Sequence, residues 1–242
     1  MKSCIPHKLN QYTICINTLN GVISLVSKGL KNIAYDYLYE EIISYRLMPG
    51  QAIGEQAVSD LLGISRTPVR EALKKLESEE LVYQVTSRGT FVKDITAQDV
   101  NEIFELRMLL EKTALNSAII KISNAELDDI EKSLSLLTDA SSKEEFYKSD
   151  RNLHKVIMKY SDNVRMINIH AKMDSELERL RRVSSMKPDR LAKSRIEHMN
   201  LLNAIRARDL NLALFALTDH LNNVKINTLI VCQAMRLDCN SG

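Results

Sequence analysis

The sequence predicts a mainly α protein: an N-terminal winged helix-turn-helix with a small β-hairpin wing, followed by a C-terminal all-α helical bundle. Three observations carry this expectation. Seven Gly, four Pro and no Trp in 242 residues leave few breakers in a chain rich in Leu, Ile, Ala, Glu and Lys. Two amphipathic stretches between residues 55 and 76 flank a single glycine, Gly63, and two β-prone runs follow them. Beyond residue 96, short polar breaks separate long stretches of helical periodicity.

Residues 1–30 read as a poorly defined N-terminal extension. Its run Val22-Ile23-Ser24-Leu25-Val26 fits either a helix packed on the neighbouring domain or its partner copy, or a loosely ordered segment. The interruptions at Asn10, Gln11, Asn17 and Asn20 argue against a secretory signal. A first helix is expected over 32–46, with Ile33, Tyr37, Leu38 and Ile42 packed, and Pro49-Gly50 closes the connection after it.

The next two helices form the helix-turn-helix of a domain expected to span 31–95. Ala57, Val58, Leu61 and Leu62 give Glu55 to Leu62 one apolar stripe, and Gly63 supplies the permissive backbone for a sharp turn. Thr67 is placed as an N-cap and Pro68 at the first helical position, which needs no amide proton. Val69, Ala72, Leu73 and Leu76 fall at i, i+3, i+4 and i+7, while Arg70 and Lys74 lie one turn apart on another face. One face packs and the other is cationic. Leu81-Val82-Tyr83 and Thr90-Phe91-Val92 then flank Thr86-Ser87-Arg88-Gly89, a hairpin with a basic tip. Periodicity alone also fits an ordinary helical hairpin.

Charge does not decide the matter. The net charge is +2, and residues 31–95 hold eight Lys or Arg against ten Asp or Glu, so nucleic-acid binding rests on where the cations stand. Composition, with 45% apolar and 26% charged residues, is that of an ordinary soluble protein. No run reaches the roughly 18 apolar residues of a membrane span, so no membrane partner is expected. Cys4, Cys15, Cys232 and Cys239 sit at the two ends without zinc-ligand or redox spacing, the pattern of unpaired thiols in a reducing cytoplasm.

Residues 96–236 read as an all-helical domain. Thr96 looks like the cap of its first helix, and six helices are expected over 97–122, 124–139, 143–160, 163–182, 189–207 and 209–235. Asp150 and His154 are i and i+4, on one face of one predicted helix, and His198 and His220 stand on two others. Three nitrogens and a carboxylate converging in a bundle would make a divalent transition-metal site, with Zn, Ni and Mn not distinguishable. The spacing equally fits a surface Asp-His pair and two satisfied histidines. Arg107 either pairs with Glu111 or Glu105 on a solvated face or turns inward as a clamp for a carboxylate. His170 reads as structural or surface, and His7 carries nothing.

Two resemblances sharpen this. Residues 33–93 resemble the winged-helix domain of GntR-type bacterial transcription regulators, through Pro49-Gly50, the run Leu62-Gly63-Ile64-Ser65-Arg66-Thr67-Pro68-Val69-Arg70-Glu71-Ala72-Leu73, and Arg88-Gly89. The resemblance implies that Arg66, Thr67 and Arg70 meet DNA around the major groove and that Arg88 with Gly89 enters the adjacent minor groove; Lys74 extends the cationic face. A family member carries arginine where this chain has Gln56, so no contact is carried to that position. Residues 97–235 resemble the FCD ligand-binding domain of the FadR-like and VanR-like regulators. Its metal-binding members show Asp-x-x-x-His, Glu-His before an Ala-Ile helix, and a last His-Leu. They correspond here to Asp150 and His154, Glu197-His198 before Ala204-Ile205, and His220-Leu221. Arg107 matches a position that the family often fills with arginine.

The resemblances imply a metabolite-responsive DNA-binding transcriptional regulator, a repressor, with no catalytic residues. It would bind a palindromic double-stranded operator as a homodimer and sense a small carboxylate or sugar acid at the metal. Hydrolysis at the metal is the rival chemistry, but no general base stands near the ligands in sequence. A metal that only braces the bundle, with no effector, is the other alternative.

Overall fold

The structure, a computed structural model, describes residues 29–138 and 140–239. The run Val22 to Val26, Cys4 and Cys15 lie outside the described residues. Cys232 is buried.

Helix α1 (Leu30–Ile43) begins the first layer and buries Ala34, Leu38, Ile42 and Ile43. Ile33 is exposed, contrary to expectation, because the buried line repeats every four residues through 34, 38 and 42 and Ile33 falls beside it. Strand β1 (Ala52–Ile53), α2 (Glu55–Leu62), α3 (Arg66–Ser78), β2 (Val82–Val85) and β3 (Gly89–Val92) complete the winged helix. Its sheet has the order β1-β3-β2, all antiparallel, with Ala52 opposite Phe91 and Val85 opposite Gly89. The two-residue β1 was not anticipated, since so short a strand shows no alternation.

Gly63 sits in the left-handed region at φ 64° and turns α2 into α3. The recognition helix starts two residues earlier than Pro68 suggests. Ser65 occupies the N-cap without a side-chain hydrogen bond, and Pro68 is the third helical residue. The first turn's amides lack intrahelical partners, so proline fits at several of its positions and does not fix the start. The predicted stripe of α3 is buried as expected. On α2, Val58 is buried but Leu61 remains exposed.

The second region is α4 (Ala97–Lys121), α5 (Asn124–Ser135), α6 (Lys143–Lys159), α7 (Val164–Lys172), α8 (Asp174–Ser184), α9 (Arg190–Arg206) and α10 (Leu210–Cys239). Capping boxes at Thr96 with Asp99, Ser123 with Glu126 and Ser142 with Glu145 start α4, α5 and α6. Where one helix was expected over 163–182, two meet at Met173. The pattern contains no Gly or Pro there, so periodicity runs through the break. Buried side chains form two clusters, one drawn from residues 34–92 and one from 95–232, and Tyr45, at the end of the α1 connection, packs onto the second.

Candidate metal centre and nucleic-acid face

Helix α6 carries Asp150 and His154, α9 carries His198 and α10 carries His220. Each lies beside apolar residues that turn its helix inward: Leu153 and Ile157 on α6, Leu201 and Leu202 on α9, Leu217 and Leu221 on α10, all 0% exposed. Burial of these stripes thus fixes the helix rotations that aim the polar side chains together. All four are buried, with one ligand atom from each lying within 4.8 Å of the others.

The Nε2 atoms of His154 and His198 each lie 3.2 Å from Nε2 of His220. Asp150 Oδ1 is 3.2 Å from His198 Nε2, 3.8 Å from His220 Nε2 and 4.0 Å from His154 Nε2. Bonds of about 2.0–2.2 Å to one ion require donor separations of roughly 3 Å, which three of these five contacts match.

The outer nitrogens set the protonation. His154 Nδ1 donates to Glu111 at 2.6 Å and His220 Nδ1 to Glu197 at 2.8 Å. Each carboxylate holds the proton on the far side of the ring, leaving the Nε2 lone pair facing the cluster. Burial, outweighing Glu111, holds His154 below the usual imidazole range; burial together with His198 and His154 holds His220 well below it. Burial pushes Asp150 up, but Arg181 and His198 outweigh it and keep the carboxylate well below its ordinary value. Neutral imidazoles beside an ionised carboxylate are the donor set that a divalent transition metal takes, and the residues fit one.

Three partners of this cluster were not singled out from sequence. Glu111 is 0% exposed and receives Arg107 Nε at 2.6 Å, His154 and His170 Nε2 at 3.2 Å. Arg181 donates to Asp150 and to Glu178. Arg190 grips Glu197 through two contacts of 2.8 and 3.1 Å. The Arg107–Glu111 spacing was the available signal for the first; the others come from helices whose facing sequence does not reveal. Arg107 is 3% exposed, so the solvated-face alternative fails: it turns inward and pairs with Glu111 at once, while its Nη2 has no hydrogen-bond partner. His170 is buried, which excludes the surface alternative.

A small cavity of about 30 Å³ adjoins Asp150 and His198. Arg181, Arg190, Arg195 and Ser184 line it, and Arg107 does not. Ser184 Oγ is buried without a partner.

On the winged helix, Arg66, Thr67, Arg70, Lys74, Arg88 and Gly89 are all exposed. Arg70 Nε pairs with Glu55 at 2.6 Å and Arg66 with Gln56, contacts between exposed side chains. Such pairs are worth about 0–1 kcal/mol and yield readily to phosphate. Gly89, at φ 102°, gives the wing tip a backbone that side chains rarely adopt.

Family models match in two places: the FCD domain over residues 102–223, and "Bacterial regulatory proteins, gntR family" over 30–92. The gluconate operon transcriptional repressor of Bacillus subtilis is 29% identical over 224 residues, 88% of this chain and 90% of that one. The uncharacterized regulator YdhC of the same organism is 28% identical over 139 residues, 56% of this chain and 62% of its own length. Among solved structures, Escherichia coli McbR/YncC shares the fold, with a TM-score of 0.69 at 20% identity over 86% of this chain and all of that one. These domains and relatives are those of DNA-binding transcription regulators, not of enzymes. No described helix is long and apolar enough to cross a membrane.

Proposed function

Since the chain belongs to the GntR family of bacterial transcription regulators that carry an FCD domain, we propose that it is a repressor whose operator affinity answers to a small organic acid bound at a metal. The observation that carries this is the set of three imidazoles and one carboxylate gathered in the bundle, with the outer nitrogens of His154 and His220 held by Glu111 and Glu197. Asp150, His154, His198 and His220 would hold the metal. The ion would supply a Lewis-acid position that a carboxylate can take in place of water.

The acid would enter by widening the small cavity beside Asp150 and His198. Ser184 Oγ, with unspent donor capacity, and Arg195 line it and would meet the carboxylate, whereas Arg107 lies outside it. A buried donor left unpaired costs about 1–3 kcal/mol, and a ligand that pairs it recovers that cost.

At the other end, Arg66, Thr67, Arg70 and Lys74 offer the start and cationic edge of α3 to the major groove, and Arg88 with Gly89 reaches the minor groove. One short helix supplies few base contacts, so a homodimer on a palindromic operator is the functional unit. Exposed Leu106, Leu109 and Ile120 on α4 and Leu212, Phe215, Ile226 and Ile230 on α10 support a second copy covering this face.

Titrating carboxylic and sugar acids into the zinc-loaded protein on its operator tests the reading. A coupling of about 1–3 kcal/mol predicts a roughly 5- to 150-fold change in affinity for an acid that binds. Acids that bind without changing operator affinity would leave the metal a brace. Arg70→Ala should weaken operator binding far more than binding to random duplex; equal losses would reduce Arg70 to a phosphate contact.

A further inference from the structure

The side chains of α8 divide between two neighbours. Arg181 donates to the candidate ligand Asp150 and to Glu178, and Glu178, 1% exposed, also receives Arg151 at 2.8 Å and Arg182 at 3.1 Å. One turn away, Ser175, Arg179 and Arg182, spaced i, i+4 and i+7, also meet the winged helix, Arg182 while donating to Glu144 at 2.7 Å within the bundle. Ser175 Oγ donates to Glu79 Oε2 at 2.6 Å, Arg179 lies over the Tyr45 ring at 5.4 Å, and Arg182 reaches Glu40 at 3.5 Å. Glu79 is the C-cap residue of the recognition helix and also accepts from Tyr35 at 2.6 Å.

We infer that α8 is the lever that carries occupancy of the metal cluster to the recognition helix, with Glu178 as its hub and the Ser175–Glu79 bond as its latch. This rests on the metal reading above. An eleven-residue helix moves as a body, so a change in how Asp150 and Glu178 share Arg181 shifts Ser175 and Arg182 together. The two contacts they make lie on α3 and α1, the two helices that orient the DNA-reading edge. Tyr45, held in the left-handed region at φ 60° and packed on the bundle core, makes the joint specific in position rather than a loose tether.

The test is hydrogen exchange of the full-length chain with and without Zn2+, with zinc affinity measured by calorimetry. Zinc should alter exchange over residues 74–80 and 35–44 more than over the wing, 82–92. In Ser175→Ala, and separately in Glu79→Gln on the opposite side of the joint, zinc affinity should stay within about twofold while the effect on 74–80 disappears. Persistence of that effect in both variants would overturn the lever, as would a wild type that binds zinc with no change there. A wild type that binds no zinc would instead overturn the metal reading on which the lever depends.

Discussion

The Arg70 side chain is 59% exposed and pairs with Glu55 at the surface, whereas His220 is 0% exposed and its Nδ1 is held by Glu197, itself gripped by Arg190. The two regions therefore do their proposed work under opposite constraints. On the winged helix, the side chains proposed to meet DNA take no part in the core, so affinity and stability can vary separately. In the bundle, the groups that would hold the metal also fill the core, so changing one disturbs both. Substitutions should separate along this line.

The largest effect is expected at Glu111. Glu111→Ala strands the buried Arg107 cation and the His154 Nδ1 proton, and removing one partner of a buried pair costs about 3–5 kcal/mol. Urea unfolding of metal-free protein should register that loss; a change below about 1 kcal/mol would mean that the pair is better hydrated than its burial implies. Arg70→Ala is the counterpart. It should cost about 1–3 kcal/mol in operator binding yet leave unfolding within about 0.5 kcal/mol of wild type. A marked loss of stability there would erase the contrast.

Acid should act on the bundle through its buried histidines. His154 and His220 hold their protons less tightly when folded than when unfolded, so the unfolded chain binds more protons once pH falls through the ordinary imidazole value of about 6.5. Stability of the metal-free protein is therefore full above that pH and declines below it, and His220→Asn should shallow the decline between pH 7.5 and 5. An identical slope in the variant would remove His220 from the account. The smallest effect belongs to Ser184→Ala. Its hydroxyl is buried unpaired, so stability should hold or rise slightly, on the order of 1 kcal/mol, while affinity for the acid falls.

Sequence made the same division visible in unequal measure. The turn at Gly63, the buried stripe of α3 and the wing are local patterns, each legible within about a dozen residues. The four candidate ligands were legible as residues, because Asp150 and His154 share a helix face and the order of motifs resembles a known domain. Their surroundings were not. Glu111, Arg181 and Arg190 become partners of the cluster only through packing of α4, α8 and α9, and nothing in a run of charged helical residues says which one turns inward. Pro68 misled by two residues because several positions of a first turn tolerate it, and Met173 hid a helix break that no breaker residue marks.

Elemental analysis of the full-length chain, purified without chelator, tests the central claim most directly. About one transition-metal ion per chain is predicted, falling to none in His198→Ala. A wild type free of metal that still releases its operator in response to an acid would contradict it.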